Sequence, residues 1–197
     1  MLLGLRFNEN KDYDYISKAR GIRWFIFLQI ILTSLVPAVS GYIGFTKFGW
    51  SSPSGNIVFF SDYTALLFSS ILVVSYLLSV LLSGWLIFTT RKIYTSTISQ
   101  EASLLFAYYC SIPFVFASLT LIYPSPVINT IALFIALAYS IKLLYTGLYK
   151  ISNIEPEKGF LYSSTILSGI LIGFTTWMVF LTITYINNES LIRLYTN

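Results

Sequence analysis

A lysine inside an apolar run is the sharpest chemical signal in this chain. Lys142 is the one charged residue, out of 12 Lys+Arg and 8 Asp+Glu, that falls within a long hydrophobic segment. Tyr139 and Tyr145 flank it at a spacing of three, and Tyr149 continues the row at four, so a helix places all of them on one stripe. Such a stripe can hold an ammonium by cation–π contact or by hydroxyl hydrogen bonds. Glu101, Glu155 and Glu157 are the carboxylates on the same predicted membrane side. A pair between one of them and Lys142 would close the inner end of a helix bundle. The competing reading is that the ammonium snorkels along its own stem, since the span ends about six residues on, roughly 9 Å at 1.5 Å per residue.

Two further patterns can do structural chemistry. Tyr108, Tyr109, Cys110 and Ser111 crowd one turn just before Pro113. A proline there leaves the Tyr109 carbonyl without its helical donor and predicts a bend. A polar kink of this kind can line a cavity or act as a hinge. Membrane helices also tolerate proline where neighbouring groups satisfy the backbone. Pro37 is similar, with its freed acceptor at Thr33, and is followed by the small residues Ala38, Ser40, Gly41 and Gly44. Thr165, Gly169 and Gly173 recur at four-residue intervals, a row that lets two helices pack backbone to backbone, first within one chain and second between copies.

Composition removes most other chemistry. Without histidine there is no His-based zinc, haem or proton-relay site, and no imidazole to activate the many serines and threonines. No catalytic pair, metal-ligand set or cofactor motif is expected, and the chain is not read as an enzyme. The single cysteine, Cys110, excludes an internal disulfide. A net charge of +4 is small and follows from membrane topology, so nucleic acid is not a predicted partner.

What positions these residues is a set of five apolar segments, at 24–45, 63–88, 103–124, 127–148 and 160–186. Crossing a hydrocarbon layer of about 30 Å takes roughly 20 apolar residues as helix, because every backbone polar group must be satisfied inside the segment. The predicted fold is therefore an all-α integral membrane protein, a single five-helix bundle over 24–186. A tail at 1–23 precedes it, and another at 187–197 follows. The opening Met1-Leu2-Leu3-Gly4-Leu5 is too short for a cleavable signal, so span one is expected to serve as the insertion signal.

The loops set the direction. Arg6, Lys11, Lys18, Arg20, Arg23, Arg91, Lys92, Lys150 and Lys158 lie on one side, against Lys47 and Arg193 on the other. Positive residues collect in the cytoplasm, which predicts a cytoplasmic N-terminus and an external C-terminus. Residues 46–62 form a Gly-, Ser- and Pro-rich outer loop, and no strand is predicted. Tyr123-Pro124-Ser125-Pro126 is a tight turn that makes spans three and four antiparallel neighbours. Asp62 can cap the second helix. The segment 12–23 mixes Tyr13, Tyr15, Ile16 and Ile22 with Lys18, Arg20 and Arg23, and reads either as a short interfacial helix or as a basic tail. Trp24, Trp50, Tyr63, Tyr123, Tyr149 and Tyr185 stand near predicted span ends, as an aromatic belt does.

Two stretches carry a family resemblance. Gly41-Tyr42-Ile43-Gly44-Phe45-Thr46-Lys47-Phe48-Gly49-Trp50 with Gly55, and Leu143-Leu144-Tyr145 followed by Ile154-Glu155-Pro156-Glu157-Lys158-Gly159 and Tyr162-Ser163-Ser164, resemble the Yip (Ypt-interacting protein) domain family in its bacterial YohC-like inner-membrane branch. Pro113 and Leu121-Ile122-Tyr123-Pro124 fall where that family has them, whereas Pro156 and Lys142 depart from its pattern. The resemblance implies five spans, a cytoplasmic N-terminus and a bacterial inner-membrane location. Eukaryotic relatives act in vesicle trafficking and bind small GTPases, but it transfers no functional residue to this chain.

Two functions are weighed. The first is non-enzymatic organisation of the membrane, with the lipid bilayer and another membrane protein or a second copy as partners. The second is a small transporter, channel or lipid-moving protein, with a polar cavity near Lys142 and the Pro113 kink. The absence of an internal repeat weighs against transport. A polar cavity lined by Lys142, Tyr109 and Ser111 would favour the second reading, and a solid apolar interior the first.

Overall fold

The computed structural model describes Ile16 and residues 23–51, 57–123 and 125–187. Five long helices dominate. Helix α1 (Arg23–Ile43) runs on into a π-helical turn, Gly44–Phe48. Helix α2 spans Asp62–Thr90, and α3 spans Gln100–Ser118 and tightens into a 3-10 turn, Leu119–Ile122. Helices α4 (Pro126–Ser152) and α5 (Pro156–Asn187) complete the set. All five are long and apolar enough to cross a membrane. The expected interfacial segment at 12–23, apart from Ile16 and Arg23, and the tail at 188–197 lie outside the described residues.

Polar residues start and stop the helices. Ser61 caps α2 by accepting from the Thr64 amide at 3.3 Å, with Asp62 in the first turn. That corrects the expected cap by one residue: the carboxylate favours the positive helix start, while the serine oxygen takes the orphan donor. Ser99 caps α3 through the Ala102 amide at 3.1 Å, and Ser125 caps α4, where Pro126 has no amide to satisfy. Asn153, at φ 53°, takes the left-handed position that ends α4.

The loop at 46–62 holds structure the sequence reading does not anticipate. Strand β1 (Trp50–Ser51) pairs antiparallel with β2 (Ile57–Val58), Trp50 opposite Val58. Beside it, the Phe60 amide bonds the Phe45 carbonyl at 3.1 Å, and the two rings stack at 5.2 Å. The chain return from α1 to α2 is thereby pinned to both helices.

Helix α1 packs on α2 and α3, α2 on α3 and α5, α3 on α4, and α4 on α5. The core gathers at one end of this bundle. Ile26 and Ile30 of α1, Ile87 of α2, Phe106 of α3, Leu148 of α4, and Tyr162 and Ile166 of α5 are all buried there, together with Ile16 and Ile98. Arg91, Lys92, Lys150 and Lys158 also sit at this end, here termed the basic end. Toward the opposite end, α5 exposes Leu171, Ile172, Phe174, Met178, Val179, Phe180 and Ile183. Where hydrocarbon surrounds the chain, apolar burial does not select the bundle. Close packing and internal hydrogen bonds do.

Candidate functional site

A groove of about 540 Å³ lies between α3 and α4. Its wall includes Tyr109, Pro113 and Phe116 from α3 and Ala136, Tyr139 and Leu143 from α4. Three of the sequence candidates, Tyr109, Pro113 and Tyr139, thus meet on one surface. Ala136 and Leu143 are buried at its base, and the exposed rings and chains of Phe116 and Ile135 flank its mouth. The groove is a lateral slot and its lining is mostly apolar. Lys142 and Ser111 are not on its wall, so the polar cavity that would mark a transporter is not formed by those residues.

Lys142 stands beside this slot. Its side chain is exposed, and the ammonium lies 5.6 Å from the centre of the Tyr139 ring. The rest of the tyrosine stripe serves other ends. The Tyr145 hydroxyl meets Ser164 Oγ at 2.9 Å and its ring packs on Phe160 at 5.1 Å, so Tyr145 fastens α5 to α4. Tyr149 receives Gly159 of α5 and carries the Lys150 ammonium at 5.9 Å from its ring centre. Of the three carboxylates, Glu155 forms an exposed ion pair with Lys158 at 3.2 Å. Glu157 is exposed in the first turn of α5, and Glu101 is half-buried in the first turn of α3.

Between α1, α2 and α3 runs a chain of hydroxyls. Tyr76 Oη meets Ser111 Oγ at 2.9 Å and Thr33 Oγ1 at 3.4 Å, while Ser111 also donates to the Tyr108 carbonyl at 2.7 Å. On the other side of α2, Trp177 Nε1 of α5 donates to Ser75 Oγ at 2.9 Å. These groups satisfy one another inside the bundle, where water is scarce. Sequence reasoning found Ser111 but missed Tyr76, Thr33 as a side-chain partner, and Trp177. The available signal was Ser75-Tyr76, a polar pair in the middle of a charge-free run.

The basic end is clasped in a second way that sequence did not show. The buried Tyr162 hydroxyl donates to the Ile87 carbonyl, its ring stacks on Tyr94 at 4.8 Å, and the Tyr94 hydroxyl meets Thr165 Oγ1 at 2.5 Å. Arg91 donates to the Ile98 carbonyl at 2.8 Å and lies over the Phe88 ring. The remaining members of the small-residue row face α2: a Cβ added to Gly169 would sit 3.0 Å from Leu86, and one on Gly173 2.6 Å from Leu82.

Comparison with known proteins adds identity to this geometry. The Yip1 domain model matches residues 4–178. The inner membrane protein YohC of Escherichia coli K12 is 29% identical over 145 residues, covering 73% of this chain and 74% of the relative. YohC of Escherichia coli O6:H1 gives the same figures. No solved structure matches.

Proposed function

The chain belongs to the Yip1 domain family, and on that premise we propose that it is a non-enzymatic inner-membrane protein that organises the bilayer or binds another membrane protein. In this reading its N-terminus and basic end face the cytoplasm, which the nine-to-two distribution of cationic residues supports. The observation that carries this reading is the use of its polar interior. Tyr76, Ser111 and Thr33 spend their hydroxyls on one another, which supports a scaffold that ties α1, α2 and α3 together. The exposed apolar half of α5 offers a lateral surface to lipid or to a partner helix.

Photo-reactive residues placed singly at Leu171, Phe174, Met178 and Phe180 in cells at native expression test the reading. A discrete protein adduct from a contiguous subset of these positions is expected, together with no solute flux in proteoliposomes. Flux that falls with Lys142→Leu would replace the organiser with a transporter. Reporters fused at the two ends check the orientation, and emergence of both in one compartment overturns it.

A further inference from the structure

The return between α1 and α2 carries apolar side chains on its outside. Phe48, Ile57 and Phe59 keep 51%, 57% and 57% of their surface exposed. Phe60 instead turns inward, its ring centre 5.2 Å from that of Phe45 and 5.6 Å from that of Phe68. Extended chain sends successive side chains to opposite faces, so the inward seat of Phe60 puts Ile57 and Phe59 together on the other face. Within residues 46–62 only Lys47 and Asp62 are charged. Each exposed apolar side chain gains by leaving water.

The helices that deliver this loop set its height. The first apolar span runs Trp24–Phe48 and the second Asp62–Thr90. The 25 residues of the first rise about 37 Å, against a hydrocarbon layer of about 30 Å. Phe48 therefore stands at headgroup level, at the end of the bundle opposite the basic end. Phe59 is three residues from Asp62, no more than about 10 Å of extended chain away. Hydrogen bonding limits the depth. Among the described residues the hairpin has two strands, so its ladder pairs one edge of each and leaves the other edge to find partners outside it. Hydrocarbon offers none, whereas the headgroup layer offers water and ester oxygens. Apolar side chains draw the loop down, and the strand edges stop it at the boundary between headgroups and acyl chains.

We propose that the hairpin between α1 and α2 lies in the membrane interface and not in water. Phe48, Ile57 and Phe59 enter the headgroup–acyl boundary, and the exposed Lys47 ammonium stands at the level of the lipid phosphates. The partner is the phospholipid surface of that leaflet. A loop in this position widens the protein in one leaflet only. The inference holds whichever partner the chain serves.

The test uses the full chain in phospholipid vesicles. Benzoylphenylalanine replaces Ile57, Phe59 or Phe60 singly, with Cys110 kept native. On illumination the probes at 57 and 59 should gain the mass of one phospholipid, while the probe at 60 should cross-link within the chain. Depth is read from a nitroxide on Ile57→Cys, Leu171→Cys or Glu157→Cys in a Cys110→Ser background. Leu171 is exposed along a membrane span, and Glu157 is exposed at the basic end. Collision with oxygen, which concentrates in hydrocarbon, is compared with collision with a water-soluble nickel chelate. The oxygen-to-nickel ratio at 57 should be severalfold above that at 157 and severalfold below that at 171. A ratio equal to that at 157 overturns the proposal. So does one equal to that at 171, which would put the strand edges in hydrocarbon. A chain-to-chain adduct from 59 gives the face to a second copy and overturns it too, as does equal lipid capture by 59 and 60. The cross-links decide alone if Cys110→Ser fails to fold.

Discussion

Gly44→Ala is the perturbation whose cost can be worked most directly from the structure. Gly44 opens the π-helical turn after α1 and is buried against the 3-10 turn that closes α3. An added Cβ would lie 2.0 Å from the Leu121 carbonyl oxygen, where real Cβ contacts essentially never fall under 3.0 Å. At least about 1 Å of displacement is therefore needed, and both obstructing groups are main chain, so no side chain can swing aside. Overpacking usually costs about 1–3 kcal/mol, and the upper figure is expected here. For a chain of this size that corresponds to a fall of roughly 6–12 °C in Tm. Gly41→Ala is the internal control: its added Cβ would sit 2.9 Å from Leu72 Cδ1, the end of a rotatable side chain, and should cost less than about 1 kcal/mol. The single thiol of Cys110 supplies the readout, since a dye that fluoresces on reaction with it follows unfolding of the detergent-purified protein. Gly44→Ala melting within about 2 °C of Gly41→Ala would refute the close seating of α1 on Leu121.

Two other substitutions probe the hydrogen bonds. Tyr162→Phe keeps the ring stacked on Tyr94 but removes the donor to Ile87, and should cost about 1–2 kcal/mol in the same melt. A double-mutant cycle of Tyr76→Phe and Ser111→Ala should show a coupling of roughly 0.6–1 kcal/mol between α2 and α3. Strict additivity would mean the two hydroxyls do not bond.

The five membrane spans were readable because length and missing charge report directly on a hydrocarbon environment. Their ends were less so. Helix α4 continues to Ser152, beyond the apolar limit at 148, because capping by Ser125 and Asn153 is local backbone chemistry that hydropathy does not measure. The antiparallel neighbourhood of α3 and α4 followed from the turn at 123–126, and with it the chance that Tyr109, Pro113 and Tyr139 share a surface. Helix rotation was not readable, since it is set by packing against neighbours. This is why Lys142 stands beside the groove wall and not on it. Tyr76, Tyr94 and Trp177 escaped notice because their partners lie on other elements; Tyr76 and Trp177, as aromatics in apolar runs, look lipid-facing, and Tyr94 sits in the turn after α2.

The uneven placement of the core gives the molecule unequal stiffness along its length. Tyr162, Tyr94 and Arg91 clasp the basic end, and at the other end Phe45 stacks on Phe60 and Gly44 seats α1 on Leu121, so the second half of α5 is the most loosely held stretch. Local opening is therefore expected to begin along the second half of α5, while the clasped end keeps its geometry.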